Sequence, residues 1–415
     1  MGLLAHGRLC RVRLELSAAL YKQDAAERTI ARLMRERDQA RELARGGGGR
    51  RGAAEEEEDR GGVRAMELEE GALSAEQDQR ITQTGETLIA QRKSRTVPPA
   101  TAKAQEVGLL KETKSHGVLA GSKKGLTALA RHAEGTLAVG AADGTIALWQ
   151  GDKAAATLKG HTKAVAAVRF GAGDSALGTL VSASHDGAVR VWTAKSGLAY
   201  ATAHTFGELH TAEVTALSVH PCGSFFASAS RDQSWAFVDL AAAASVYTVS
   251  SDGQTGAVSA ASFHPDGFLL ATATEDAKFQ LRLWEIKSKE NVISFPGHAG
   301  RIYSISFSEN GFYLATGSAD RCVKMWDLRN LNSPIFASEQ GEQPVTSVSF
   351  DHSGEYLAVG GQDVHLYHVK SPVPGPLEHL NRLVGHAGTV TDLAWGPNAR
   401  SVFTVSADKT LKVYA

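Results

Sequence analysis

The sequence predicts an all-β ring of seven four-stranded blades, a β-propeller, preceded by an α-helical coiled coil. Aspartates recur over the C-terminal three-quarters of the chain at intervals of 43, 46, 44, 44, 43 and 45 residues. A repeat of this length is typical of WD-repeat propellers, in which each repeat supplies one blade. The seven aspartates are Asp143, Asp186, Asp232, Asp276, Asp320, Asp363 and Asp408.

Two further patterns accompany this repeat. A tryptophan stands six residues after three of the aspartates, and the histidine of a Gly-His pair precedes three of them by 22 to 25 residues. Within one repeat, alternating apolar residues are followed by an Asn310-Gly311 turn and a second alternating run, the pattern of a β-hairpin. The tryptophans are Trp149, Trp192 and Trp326, and the histidines are His161, His298 and His386.

The coiled coil is predicted for residues 9–45, after a short N-terminal remnant of residues 1–8. This segment is rich in Leu, Ala, Arg and Glu, contains no Gly or Pro, and repeats apolar residues in heptads. Gln23 and Arg37 fall at core positions, where polar residues weaken a seam or fix its register. An amphipathic helix that packs against its own domain is the alternative.

A flexible linker is predicted for residues 46–108. A glycine run and an acidic cluster open it, and it carries too few large apolar residues to form a core. Its basic residues 91–95 are interpreted as solvated linker, with part of a nuclear-import signal as the alternative.

The propeller is predicted for residues 109–415. The seventh repeat ends at Ala415, one strand short of a complete blade. Because an open ring would leave two exposed sheet edges, we expect residues 111–121 to supply the missing strand.

Composition narrows the function. At 43% hydrophobic residues and a formal charge of −1, the chain shows no global attraction to nucleic acid or anionic membranes. It has no apolar run long enough to span a bilayer, and its three cysteines have neither disulfide nor zinc spacing. These features favour a soluble intracellular protein with no cofactor, no metal, no membrane contact and no evident nucleic-acid site.

Ser, His and Asp recur together with an aromatic residue in several repeats. Such a set resembles a hydrolase triad, but an enzyme needs one triad and this chain repeats it, so we interpret the sets as structural staples that satisfy buried polar groups. No catalytic residue is predicted. The predicted staple residues are His161, Ser184, Asp186 and Trp192; His298, Ser318, Asp320 and Trp326; and His386, Ser406 and Asp408, with Tyr414 at the aromatic position.

The first, third, fourth and sixth repeats depart from this pattern, so we expect these blades to be held mainly by packing. Loop residues beside the staple positions are the candidate contacts for partner proteins, because propellers commonly bind partners through their loops. These candidates are Lys163, His185, Arg231 and Arg301.

The helical segment ELSAALYKQDAAERTIARL, residues 15–33, closely resembles the central helix of the pre-mRNA-processing factor 19 family. Similar segments follow in the same order: QRKSRTVPP at 91–99, FPGH at 295–298, FSENGFYLAT at 307–316 and LAVGGQDV at 357–364. The resemblance implies a nuclear scaffold of a pre-mRNA splicing complex. It also implies a homo-tetramer formed through the helix, splicing-complex proteins as partners, ubiquitin-protein ligase activity and a role in DNA repair.

Ubiquitin transfer in that family depends on an N-terminal U-box that docks a ubiquitin-conjugating enzyme. This sequence starts where the U-box should already have ended. The resemblance therefore implies ligase activity and a conjugating-enzyme partner only with a U-box upstream. An unrelated adaptor with a coiled coil and WD repeats, without ubiquitin chemistry, is the alternative function.

Overall fold

The fold is known for most of the chain from Leu73 onward. A computed structural model describes residues 73–94, 97–98, 100–117, 124–171, 178–250, 256–276, 280–330, 333–370 and 377–415. The described residues from 75 to 415 form one compact unit. The predicted coiled coil, residues 9–45, and the N-terminal remnant lie outside the described residues, and so do all the predicted linker residues before position 73.

The described strands form seven antiparallel sheets of four strands each, as predicted. We number the blades from the N-terminus. Blade 1 comprises β2 Leu126–Arg131, β3 Thr136–Ala141, β4 Ile146–Gln150 and β5 Lys153–Leu158. Blade 2 comprises β6 Val165–Phe170, β7 Thr179–Ser184, β8 Val189–Ser196 and β9 Ala199–Phe206. Blade 3 comprises β10 Val214–Val219, β11 Phe225–Ser230, β12 Ser234–Asp239 and β13 Ala244–Ser250.

The remaining blades follow the same order from the innermost to the outermost strand. Blade 4 comprises β14 Val258–Phe263, β15 Leu269–Thr274, β16 Gln280–Glu285 and β17 Glu290–Pro296. Blade 5 comprises β18 Ile302–Phe307, β19 Tyr313–Ser318, β20 Cys322–Asp327 and β21 Phe336–Glu339. Blade 6 comprises β22 Ser347–Phe350, β23 Tyr356–Gly360, β24 Val364–His368 and β25 Glu378–Leu383. Blade 7 combines β26 Val390–Trp395, β27 Val402–Ser406 and β28 Leu411–Tyr414 with β1 Glu112–His116.

Strand β1 closes the ring. It pairs antiparallel with β28, so the N-terminal strand becomes the outermost strand of the last blade. Lys111 and Ala415 exchange backbone hydrogen bonds just beyond the strand ends, and Lys412 Nζ lies 2.7 Å from Glu112 Oε2. The closing strand expected within residues 111–121 is therefore confirmed over 112–116.

Neighbouring blades are joined around the central channel by side chains of the innermost strands. Threonine hydroxyls donate hydrogen bonds to backbone carbonyls of the next blade, as Thr127 does to Val165 over 2.6 Å. Small residues in the second strands let the blades approach: a Cβ at Gly317 would overlap Val345 of the next blade. The same hydroxyl-to-carbonyl bond occurs at Thr215 to Val258, Thr346 to Val390 and Thr391 to Leu126.

The predicted linker is where the structure differs from the sequence prediction. Residues Ala75–Ser94 form a 20-residue helix, α1, and Ala104–Val107 form a short helix, α2. Ile81 of α1 is fully buried. Arg92, from the basic residues interpreted as solvated, forms an ion pair with Asp266 of blade 4. A flexible linker through position 108 is therefore wrong for these two segments.

The propeller has two faces, which the strand order defines. The upper face carries the turns between second and third strands and the connections from one blade to the next; the lower face carries the other two kinds of turn. Helix α1 contacts lower-face residues of blades 3 and 4. Neither described helix is both long and apolar enough to cross a bilayer.

Candidate functional site

Two sets of polar side chains stand at the upper face: buried staples within the blades and a charged group around the mouth of the channel. In blade 2, His161 Nδ1 lies 3.0 Å from Asp186 Oδ2, and His161 Nε2 lies 2.9 Å from Ser182 Oγ. Trp192 Nε1 donates to the same hydroxyl over 2.9 Å. Four side chains thus form one continuous chain of hydrogen bonds.

The direction of this chain follows from what each group can do. A carboxylate only accepts, so His161 Nδ1 carries the proton and donates to Asp186. Burial is the largest effect on the pKa of His161 and lowers it, although Asp186 acts in the opposite direction, so the ring is neutral and its Nε2 accepts from Ser182. Each buried group is satisfied, which makes the set a structural one.

Blade 5 repeats the arrangement with a threonine. His298 Nδ1 lies 2.8 Å from Asp320 Oδ2, and His298 Nε2 lies 2.8 Å from Thr316 Oγ1. Trp326 Nε1 donates to Thr316 over 3.1 Å. In blade 7, the same chain runs from Thr404 through His386 to Asp408.

The predicted serines have a different role. Ser184, Ser318 and Ser406 stand two residues before the aspartates, and each donates to a backbone carbonyl and accepts from the aspartate amide. The hydroxyl that joins histidine to tryptophan lies four residues before the aspartate. Strand alternation explains the difference, because residues two apart share a face but lie about 7 Å apart along the strand, beyond hydrogen-bond reach of a common partner.

Blade 3 also contains a staple, although it was expected to be held mainly by packing. His210 Nδ1 lies 3.1 Å from Asp232 Oδ2, and His210 Nε2 lies 2.8 Å from Ser228 Oγ. Blade 1 fits the expectation better. There Val139 occupies the hydroxyl position, and the buried Trp149 Nε1 has no hydrogen-bond partner among the described residues.

One position repeats around the upper mouth of the channel. In six blades, the residue that follows the second strand donates its amide hydrogen to a carbonyl of the preceding connection over 2.8 to 3.1 Å. In blades 2, 3 and 4 this residue is charged or titratable, whereas in blades 1, 5 and 7 it is alanine. In chain order, the residues are Ala142, His185, Arg231, Glu275, Ala319 and Ala407. The mouth is therefore asymmetric.

The charged half of the mouth contains ion pairs that are partly open to solvent. Arg231 lies 3.6 Å from Glu213 and 3.8 Å from Glu275, and Arg301 Nε lies 2.9 Å from Glu275 Oε1 without hydrogen-bond geometry. The guanidinium of Arg301 stacks over the ring of Tyr303 at 5.3 Å. Tyr303 is 39% exposed and lines the channel. We call these five residues the charged rim.

The four candidate contacts predicted from sequence lie in this neighbourhood. Burial lowers the pKa of His185; Glu213 raises it in part, and the charges of Arg231, Arg301 and Lys163 lower it further. Lys163 is exposed. The structure thus brings Lys163, Arg231 and Arg301 within electrostatic range of His185.

Comparison with known proteins covers both parts of the chain. A family model described as "Prp19/Pso4-like" matches residues 7–45, and one described as "WD domain, G-beta repeat" matches seven segments. Pre-mRNA-processing factor 19 of Caenorhabditis elegans is 38% identical over 97% of this chain and 80% of its own length. The chain belongs to the pre-mRNA-processing factor 19 family. The WD-repeat segments are 113–150, 153–193, 202–238, 244–285, 289–327, 335–363 and 377–415.

Other members of the pre-mRNA-processing factor 19 family are similar over the same extent. The Oryza sativa subsp. japonica protein is 35% identical, and the Homo sapiens protein is 34% identical; each alignment spans 97% of this chain. Membership decides against an unrelated coiled-coil and WD-repeat adaptor. The family resemblance read from the sequence is confirmed.

The acidic and aromatic members of the charged rim were not predicted from the sequence. Glu213, Glu275 and Tyr303 were not singled out because each is an ordinary residue in its own repeat, and only alignment of the repeats by register places them at one mouth. Cys222 and Cys322 are free, and no group of three or more His, Cys, Asp or Glu converges as a metal site within the described part of this family member.

Proposed function

We propose that this chain is a scaffold of a pre-mRNA splicing complex. The observation that carries the proposal is the similarity to pre-mRNA-processing factor 19 across 97% of the chain, which includes the helical segment as well as the propeller. The staples favour holding over catalysis, because their polar groups satisfy one another. A rigid closed ring that presents a charged, partly exposed rim suits partner binding.

The charged rim is the proposed partner surface. Its arginines and glutamates are already paired, so a partner needs both acidic and basic groups to replace these pairs across the mouth. The small alanine side chains in blades 1, 5 and 7 leave room at the mouth for the backbone and side chains of a bound partner segment. We place the splicing-complex partners here, together with any substrate that the propeller holds.

The finer parts of the proposal follow from family membership. We propose a homo-tetramer assembled through residues 9–45, a nuclear location, and a role in DNA repair. Ubiquitin transfer is assigned to a U-box, which would dock the ubiquitin-conjugating enzyme while the propeller holds the substrate. Multi-angle light scattering of the full chain tests the tetramer: four times the chain mass is expected, and a monomeric mass would contradict it.

Recovery of the full chain from nuclear extract tests the splicing role. The tagged chain is purified after nuclease treatment, so that RNA does not bridge unrelated proteins, and the bound proteins are identified by mass spectrometry. We expect splicing-complex proteins to be enriched at least tenfold over a tag-only control. An eluate without such enrichment would refute the splicing role and leave the fold unaffected.

A further inference from the structure

Helix α1 covers two buried carboxylates on the lower face. Asp239, the last residue of β12, is 2% exposed, and Asp266, in the turn after β14, is 8% exposed. Arg80 of α1 lies 2.5 Å from Asp239, and Arg92 of α1 pairs with Asp266. Both acidic groups therefore meet a cation that comes from outside the ring.

Backbone amides of the propeller hold the Asp239 carboxylate in place. The amides of Ala241 and Ala242 donate to Asp239 Oδ1 over 2.8 and 3.1 Å, which fixes the side chain and turns Oδ2 toward Arg80 and Gln77. The guanidinium of Arg80 also lies over the ring of Phe225, 4.8 Å from its centre. A carboxylate held in place beside an aromatic ring forms a preorganised binding site for a cationic side chain.

The second acid belongs to a turn that the ring also holds. Asp266 is the third residue of the turn that the Gly267 amide closes on the His264 carbonyl, and the Asp266 amide donates to His264 Nδ1 over 3.2 Å. Between the two acids, the ring of Phe268 lies against the helix so closely that a Cβ at Gly85 would overlap it. The site therefore selects a small residue at that point of the helix.

Apolar contact contributes little to this docking. Of the described side chains of α1, only Ile81 is both apolar and fully buried. The other links are polar: Lys287 of blade 4 contacts Asp78 over 2.7 Å and Thr82 over 2.6 Å. Most helical stability in proteins comes from tertiary contacts and not from intrinsic propensity, so α1 depends on this mainly electrostatic contact for its structure.

We propose that the lower face over blades 3 and 4 is a docking groove for a helix that presents two basic residues, and that α1, which occupies this groove, can leave it while the ring stays folded. The groove, as we use the term, is Phe225, Asp239, Asp266, Phe268 and Lys287. Its partner is a helix of another protein with the same pattern as α1. That pattern is two basic residues twelve positions apart, about 18 Å along the axis, with a small residue between them.

Charge removal on α1 tests whether the helix leaves as a unit. Arg80→Gln with Arg92→Gln removes both cations, and Gln79→Glu with Gln83→Glu makes the same net charge change at exposed positions of the same helix. Hydrogen exchange is followed by mass spectrometry on the full chain. We expect amide protection over Ala75–Ser94 to fall at least tenfold in the first variant only, with strands β11 and β15 unchanged.

A labelled peptide of residues 74–94 tests whether the vacated groove binds a helix. Fluorescence anisotropy should show at least tenfold tighter binding to the Arg80→Gln, Arg92→Gln chain than to the wild-type chain, whose groove is occupied. A peptide with the same two substitutions should bind at least tenfold more weakly. Equal binding of the two peptides, unchanged protection of α1, or loss of strand protection together with α1 would each overturn the proposal.

Discussion

His220 of blade 3 donates its Nε2 hydrogen to the carbonyl oxygen of Gly267 in blade 4, across 3.0 Å. The other ring nitrogen accepts from the amide of Cys222, so the imidazole is neutral and fully used. His264 makes the same bond to Gly311 of blade 5. These histidines join three successive blades at their lower-face turns, and His264 accepts from the amide of Asp266, which belongs to the groove that α1 occupies.

Replacing Gly267 by alanine should lower the free energy of unfolding by more than the cost of placing alanine at a positive φ. Gly267 has φ +79°, and a Cβ there would overlap His220 Nε2. Gly135 has φ +88° with nothing near the added Cβ, so Gly135→Ala measures the backbone cost, about 1 kcal/mol. Urea unfolding should show at least about 2 kcal/mol for Gly267→Ala. Equal costs for the two variants would show that the His220 contact is unimportant.

Stability should fall as the pH drops from about 6.5 toward 4. Burial lowers the pKa of His220 to about 4, whereas the unfolded chain takes up the proton near 6.5. Between these values the unfolded state binds more protons, so acid favours unfolding, by about 3 kcal/mol for this one group. Asp408, with a pKa of about 2, extends the loss below pH 4.

Urea unfolding between pH 7.5 and 4.5 measures this dependence. His220→Gln keeps a donor for Gly267 but does not titrate, so its stability should depend less steeply on pH. Burial also lowers the pKa values of the staple histidines His161, His298 and His386. The stability of the His220→Gln variant should therefore still depend on pH in part. A wild-type stability that stays constant over this range would contradict the neutral histidines.

A double-mutant cycle distinguishes the two hydroxyls of the blade 5 staple. Thr316→Val leaves Trp326 and His298 without their shared partner and should cost about 2 kcal/mol. Combined with Trp326→Phe, it should show coupling above about 0.5 kcal/mol, whereas Ser318→Ala with Trp326→Phe should be additive. Coupling between Ser318 and Trp326 would instead support the sequence prediction that Ser318 is the hydroxyl of the staple.

Removal of the closing strand should destabilise the whole ring. A chain that begins at residue 118 loses β1 and exposes the edge of β28, so its melting temperature should fall by several degrees and it should aggregate. A chain that begins at Ala100 lacks α1 but keeps α2 and β1, and it is the control for the loss of α1. Unchanged melting of the shorter chain would show that the ring does not depend on β1.

The repeat architecture was predictable because it rests on local signals. Aspartates in tight turns, tryptophans and Gly-His pairs recur at fixed spacing, and the seventh repeat contributes only three strands to its own blade. The hydroxyl of the staple was misplaced because residues 182 and 184 are both serines on one strand face, and only the distance to His161 separates them.

Longer-range relationships could not be predicted in the same way. Helix α1 has a weak apolar pattern, and the acids that hold it, Asp239 and Asp266, are more than 150 residues away. The His-Pro-x-Gly sequences beginning at His220 and His264 are visible signals for the lower-face bonds. Their acceptors lie in the next repeat, 47 residues on, so the bond itself emerges only when the blades are packed.

Charge reversal at the charged rim tests the central claim, that the closed ring holds splicing-complex proteins at its upper mouth. Arg231→Glu with Arg301→Glu leaves Glu213 and Glu275 without their cations, and Lys153→Glu with Lys195→Glu makes the same charge change at exposed positions toward the lower face. After purification from nuclear extract, we expect the rim variant to recover at least tenfold less splicing-complex protein than the control variant, with both rings folded. Equal recovery by the two variants would contradict the claim.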